Sequence, residues 1–323
     1  MRYFGTLIVV ALLVGFASAE DIELRTRAVR LVERSAEVSA PTEHAPYELS
    51  LTFRAMVPGQ PTGEGSYSRL FGGKLGSREE VTFGDFHLVR IYLPDRIASI
   101  GKSRVFPPEV REVLRLIPIQ LWHLDHEDIV REIRPGTVAG RPAQCVEFDT
   151  IAGAQTHANE ICVDAQTGAF LRDVHGNEVV ENSDFFDNRG AKFPAHINYY
   201  RNGVLVFEIN QTIKRVDEPL SADVFTPPAD AKIGLRCQSF RRAFAESTPQ
   251  PPRGNGSGMV DVVVHAMIGV DGHAHNAVIE SSDRPDLNPE ALKIVQNWVF
   301  TPSLCNGKPN DQEGNLVVHF QGR

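Results

Sequence analysis

Residues 258–320 read GMVDVVVHAMIGVDGHAHNAVIESSDRPDLNPEALKIVQNWVFTPSLCNGKPNDQEGNLVVHF, and strand, turn and helix signals follow one another through this stretch without a gap. Residues 259–268 are rich in valine and read as a strand. Asp271-Gly272 offers the positive φ angles of a type I′ hairpin, and residues 274–281 form the return strand. A helix should follow. Asn288 is placed to cap it, Pro289 fits the first turn where a missing N–H costs nothing, and Glu290 suits the positive end. Ala291, Leu292, Val295, Trp298 and Val299 then recur at helical spacing as one apolar face. Phe300-Thr301-Pro302 stops the helix, Asn306-Gly307 turns the chain, and residues 316–320 close as a strand, for an order β-β-α-β.

The stretch from Gly258 to Phe320, with Ser281-Ser282, LNPEALKIVQNWVFTP at 287–302, NGKP at 306–309 and VVHF at 317–320, resembles the C-terminal domain of TonB-type energy transducers. The resemblance implies a small docking domain whose partner belongs to the outer-membrane system, an outer-membrane or periplasmic protein reached by adding the last strand to an exposed sheet edge. In that mode main-chain hydrogen bonds give affinity, and the alternate side chains Leu316, Val318 and Phe320 are the expected specificity contacts.

Working outward, the N-terminus has one basic residue, Arg2, an apolar run over residues 7–16, and Ala17-Ser18-Ala19, the small-x-small pattern cut by signal peptidase. Residues 1–19 therefore read as a signal peptide cleaved after Ala19, which places the mature protein in the periplasm or outside the cell. The competing reading is an uncleaved anchor, against which stands the shortness of the apolar run for a bilayer. Lys and Arg number 33 against 41 Asp and Glu, a net charge of −8, so a phosphate-neutralising face for nucleic acid is not expected.

Export into an oxidising compartment makes the four cysteines readable as disulfides, with three pairings open. Cys145 and Cys162 lie in neighbouring strand-like runs joined by the polar segment 150–159, and Cys237 and Cys305 flank the C-terminal stretch. The pairing Cys145–Cys162 and Cys237–Cys305 is favoured over buried free thiols.

In chain order, residues 23–39 place Leu24, Ala28, Leu31, Val32 and Ala36 at helical spacing, an amphipathic helix that must lie on something. Strands are expected at 47–57, 65–71 and 80–93, the last bending at Gly84, with a short helix at 108–116. Further strands fall at 129–133, 143–149, 158–163, 169–174, 179–186, 193–200 and 204–216, with Asn202-Gly203 the strongest hairpin signal. Residues 229–245 have helical spacing, and 248–258 have linker composition. The fold class is α+β: an antiparallel curved sheet, or half-barrel, wrapped on a helix over residues 20–232, a helix and linker over 233–257, and a ββαβ domain over 258–323.

The segments GRPAQCVEFDT (140–150), EICVDAQTGAFLR (160–172) and residues 190–231 resemble the periplasmic half-barrels of the LolA and LppX type. That resemblance implies an apolar concavity for an acyl chain or a lipoprotein; among the aromatic residues Phe83, Phe86, Phe148, Tyr199 and Phe207 are the candidate lining, the plainer reading of each one being a closed core.

Candidate chemistry is sparse. His123 and His126 stand three apart among Asp125, Glu127 and Asp128, and on a helix they would share a face suited to zinc, but a polar solvated loop is the plainer reading. His273 and His275 follow the Asp271-Gly272 turn and read as solvated turn residues. No GxSxG elbow, phosphate loop or HExxH motif is present. The expectation is a noncatalytic envelope protein without a cofactor. It would dock a partner through its C-terminal domain, its β-domain suiting a hydrophobic ligand. The alternatives are a divergent energy transducer anchored by its N-terminal segment, and a metal-dependent enzyme using His123 and His126.

Overall fold

Alternating apolar and polar residues need a sheet with one face covered, and the first half of the chain supplies that pattern strand after strand. The computed structural model describes residues 19–39, 46–58, 62–102, 105–117, 123–152, 155–188, 190–254, 258–282 and 284–322. The signal-peptide reading therefore lies outside the described residues except for Ala19, the first residue of helix α1 (Ala19–Ser39). No described helix is long and apolar enough to cross a membrane.

The strands run as β1 (Tyr47–Ala55), β2 (Gly63–Phe71), β3 (Ser77–Phe83), β4 (Phe86–Tyr92), β5 (Arg96–Gly101), β6 (Ile129–Val138), β7 (Arg141–Ala152), β8 (Gln155–Asp164), β9 (Phe170–His175), β10 (Glu178–Asn188), β11 (Ala191–Arg201), β12 (Val204–Arg215) and β13 (Lys232–Leu235). These thirteen form one open antiparallel sheet in the order β13-β5-β4-β3-β2-β1-β12-β11-β10-β9-β8-β7-β6. It is two meanders joined by a single seam, β1 on β12, with Tyr47 opposite Arg215 and Ala55 opposite Phe207.

Two helices, not one, fill the hollow of the sheet. Helix α2 (Pro108–Leu116) starts with proline in its first turn and buries Val110, Val113 and Leu116 against Leu49, Leu51, Phe53, Leu88, Tyr199 and Phe207. Helix α1 lays Ala28 and Val32 on Val146, Phe148, Ile161 and Phe170. Each valine taken from water in this way contributes roughly 1.5–3 kcal/mol. The Cys145–Cys162 disulfide joins directly opposed residues of β7 and β8. Both strands extend into the segment read from sequence as their connection, to Ala152 and from Gln155.

The C-terminal part contains β14 (Phe240–Arg241), β15 (Phe244–Ser247), β16 (Met259–Ile268), β17 (Ala274–Ser282), α3 (Asn288–Val295), β18 (Val299–Thr301), β19 (Ser303–Cys305), β20 (Lys308–Asn310) and β21 (Gln312–Gln321). Strands β17-β16-β21 form its sheet, and α3 packs Ala291 and Val295 on Val262, Val264, Val318 and Phe320.

Several sequence expectations are corrected. The helix expected within 229–245 is absent: β13 takes the open edge of β5, and residues 240–247 pair along β19 and β18. Gly234, Ser239 and Cys237 favour helix weakly, and an unpaired sheet edge outcompetes such a segment. The strand expected over 80–93 is a hairpin, because Gly84, at φ +54°, reverses the chain and sets Phe83 opposite Phe86. The turn after β16 is wider than a two-residue hairpin, closed by Gly269 N–H donating to the His273 carbonyl. Within it Gly272, at φ +77°, comes so close to Phe300 that a Cβ would lie 2.4 Å from its carbonyl oxygen. Asn288 does not cap α3. It lies inside the helix, and α3 ends at Val295 because Val299 joins the ladder with β15.

Candidate functional site

Helix α2 has two jobs, since its apolar face enters the core while its charged face looks towards the C-terminal module. There Pro108, Glu109 and Glu112 meet Val57 and Pro58 after β1, Val206 and Phe207 of β12, and Ile279 and Glu280 of β17. Between them lies an open cleft of about 680 Å3. Its lining mixes apolar residues with charged ones that belong to a paired network. Arg201 donates to the Tyr199 hydroxyl at 2.8 Å and lies 3.3 Å from both Glu112 and Glu178, while Arg115 lies 2.7 Å from Glu112 and 3.1 Å from Glu178. Burial opposes charge on Glu178, but the Tyr199 hydroxyl and the two guanidinium groups hold it below the usual carboxylate range. Burial, with Glu178 and Glu112 beside it, raises the Tyr199 phenol. Asn288 Oδ1, at the cleft, is buried and accepts no hydrogen bond among the described residues. The lining includes two serines, Ser281 and Ser282, and among the described residues no histidine.

Charged bridges tie the module to the sheet. Arg90 of β4 sits 4.2 Å over the Phe106 ring and 2.7 Å from Glu313 of β21. Arg111 of α2 pairs with Glu280 of β17 and donates to the Phe106 carbonyl. Glu313 is half buried, which raises its carboxyl, yet the His265 hydrogen bond and the Arg90 charge bring it below the usual range.

A second feature is the outer edge of β21. Among the described residues it pairs only with β16. His319 N–H points away from β16 and donates to Gln250 Oε1 at 2.9 Å, and the Gln321 carbonyl accepts from Gly254 N–H at 2.7 Å. Trp298 Nε1 donates to the Pro249 carbonyl, so residues 249–254, read from sequence as a linker, are tied along the end of this strand. By alternation the backbone groups of Asn315 and Val317 point outward too.

The sequence-derived site residues distribute differently from expectation. Leu316, Val318 and Phe320 are buried beneath α3, so they build the module's core instead of facing a partner. The proposed lining does not surround one cavity. Phe83, Phe86, Tyr199 and Phe207 join the core closed by α2, Phe148 packs separately under α1, and only Phe207 reaches the cleft. His123 Nε2 lies 3.1 Å from Asp125 and His126 Nε2 3.6 Å from Glu127, both pairs in solvent. Among the described residues the sole His, Cys, Asp or Glu group that converges as for an ion is Cys145, Glu160 and Cys162, whose thiols are joined as a disulfide. Cys237 and Cys305 are likewise bridged. His275 pairs with Asp271 at 2.9 Å, the largest cause of the lowered Asp271 carboxyl. The cleft itself escaped sequence reasoning, because α2 and β17 are far apart in the chain.

Fold and site together define a class: an open antiparallel half-barrel filled by two helices and bridged to a small sheet-and-helix module with an edge strand. Residues 259–321 match the family of Gram-negative bacterial TonB protein C-terminal domains. Among solved structures, the chain is similar to a LolA superfamily protein from Nitrosomonas europaea, with 14% identity over 61% of this chain and 96% of that one at a TM-score of 0.38. It is also similar to a DUF1329 family protein from Desulfovibrio piger, with 13% identity over 62% and 96% at a TM-score of 0.40. A third likeness is to the Pseudomonas aeruginosa MucA/MucB complex, with 14% identity over 76% and 81% at a TM-score of 0.30. No curated protein sequence matches the chain.

Proposed function

We propose that this is a noncatalytic cell-envelope protein of the periplasm whose C-terminal module docks a partner protein by strand addition along β21. The observation that carries the reading is the match of residues 259–321 to the TonB C-terminal family, in a module that leaves β21 at the edge of its sheet. In this reading a partner strand pairs with the outward backbone of Asn315 and Val317 and extends by displacing Gln250 and Gly254. Side-chain selectivity comes from the odd-numbered face, since the even-numbered one is core. The half-barrel, ending with β13 at Leu235, positions the module, and the apolar residues of the interdomain cleft, Val57, Val206, Phe207 and Ile279, take a hydrophobic group of a ligand or lipoprotein.

Val317→Pro tests the docking. Proline removes one outward N–H, tolerable at a sheet edge, and blocks an incoming strand. The expected result is loss of partner capture from envelope extracts, with the thermal melt of the purified variant close to that of the parent. Capture at the parental level would overturn strand addition at β21. N-terminal sequencing of the exported protein separates a cleaved periplasmic form, starting at Glu20, from an anchored transducer.

A further inference from the structure

The segment 232–244, KIGLRCQSFRRAF, carries four cations and no carboxylate in a protein whose net charge is −8. It also holds four exposed large apolar side chains: Ile233 at 57%, Leu235 at 37%, Phe240 at 49% and Phe244 at 72% of full exposure. The reason lies in the pairing. Phe240 opposes Cys305 and Arg241 opposes Leu304; residues 242 and 243 pair in neither ladder, and pairing resumes with Phe244 opposite Thr301, an even spacing that returns residue 244 to the face of residue 240. Ala243, on the other face, packs into the module's core. Phe240, Arg242 and Phe244 therefore project together into solvent, with Arg241 also exposed beside them. The Cys237–Cys305 bridge fixes the row to the rigid sheet.

We propose that this row is a membrane-contact site for an anionic phospholipid surface, with the Phe240 and Phe244 rings entering the interface and Arg241 and Arg242 meeting lipid phosphates. Charge complementarity selects the occupant: the local excess of guanidinium groups opposes the charge of the rest of the molecule and matches an anionic headgroup layer. Shape separates lipid from a protein partner. Aromatic anchors of protein interfaces fill pockets, whereas Phe240 of β14 and Phe244 of β15 stand exposed and do not line the cleft described above. Long arginine stems can lie along the interface while their charged ends stay with the phosphates.

The test is flotation of the full exported protein with phosphatidylglycerol-containing vesicles and with pure phosphatidylcholine vesicles. The expected result is flotation with the anionic vesicles, weakened by salt, and none with phosphatidylcholine. Arg241→Gln with Arg242→Gln should weaken it about tenfold or more, and Phe240→Ser with Phe244→Ser should abolish it. If a double variant melts early, Phe244→Ser alone at its highly exposed position gives the reading, with clear weakening expected. Failure of the parent to float, equal flotation on both lipids, or flotation unchanged in the variants would overturn the site, as would capture of acidic protein without vesicle binding. Val317→Pro should float normally, which keeps this outcome separate from docking at β21.

Discussion

At the residue scale, the group most at odds with its surroundings is Asp173. It lies opposite Ile161 in the β8–β9 register, at a buried place in the hollow of the sheet. Burial pushes its carboxyl up to about 7, with Arg115 pulling it down and Glu178 pushing it up. The folded state thus holds a proton that the unfolded chain, with an ordinary aspartate, gives up near pH 4. Stability from this residue is full below that pH, falls between about 4 and 7, and is flat above. Asp173→Asn should flatten the decline and raise stability at pH 8 by on the order of 2 kcal/mol. Urea unfolding of both proteins across this pH range checks it, and a parallel pair of pH curves would show the carboxyl to be ordinary. Nothing near Asp173 in the chain reveals its burial, which depends on α2 bringing Arg115 across from another part of the fold.

At the element scale, β2 shows how small residues seat large ones. Gly63 lies under Phe83 and Gly65 under Phe53, whose rings stack with centroids 5.6 Å apart. A Cβ at Gly65 would lie 2.2 Å from Phe53 Cζ and 2.6 Å from the Thr82 carbonyl oxygen. Gly65→Val should therefore cost roughly 1–3 kcal/mol despite the higher strand propensity of valine. A lower urea midpoint with unchanged slope is the expected sign. What the sequence made legible follows the same division between local and distant causes. Asn202-Gly203 and Asn306-Gly307 turn as read, each pair at positive φ, because a two-residue hairpin is decided by its own residues. Helix α2 matches its expected bounds because Pro107 and Pro108 start it locally. Residues 229–245 misled, since the partners β5, β18 and β19 that extend them are remote in sequence. Leu316, Val318 and Phe320 misled differently: apolar alternation marks a buried face, and a strand that adds to a partner needs its backbone edge, not that face, exposed.

At the scale of the whole molecule, two arginines from the half-barrel hold the C-terminal module. Arg90 reaches Glu313 and Arg111 reaches Glu280, both arginines largely shielded from water. Replacing both with alanine removes the bridges, leaving Glu280 half buried without its arginine and Glu313 with only its His265 contact. The expected result is a larger radius of gyration and a broader distance distribution in small-angle scattering, with the Cys237–Cys305 bridge still intact. An unchanged scattering curve would place the coupling elsewhere, in β13 and the apolar contacts.

The seam between β1 and β12 also orders events in time. Within each meander, neighbouring strands are neighbours in sequence, so β1–β5 and β6–β12 can each form by short hairpin closures. Joining them requires Tyr47 to meet Arg215, and β13 must then return to β5. During synthesis, the first meander emerges with the whole length of β1 unpaired on its outer side and must wait for β12. That waiting edge is a template for wrong pairing between copies until β12 arrives, a hazard that the finished sheet no longer shows at β1.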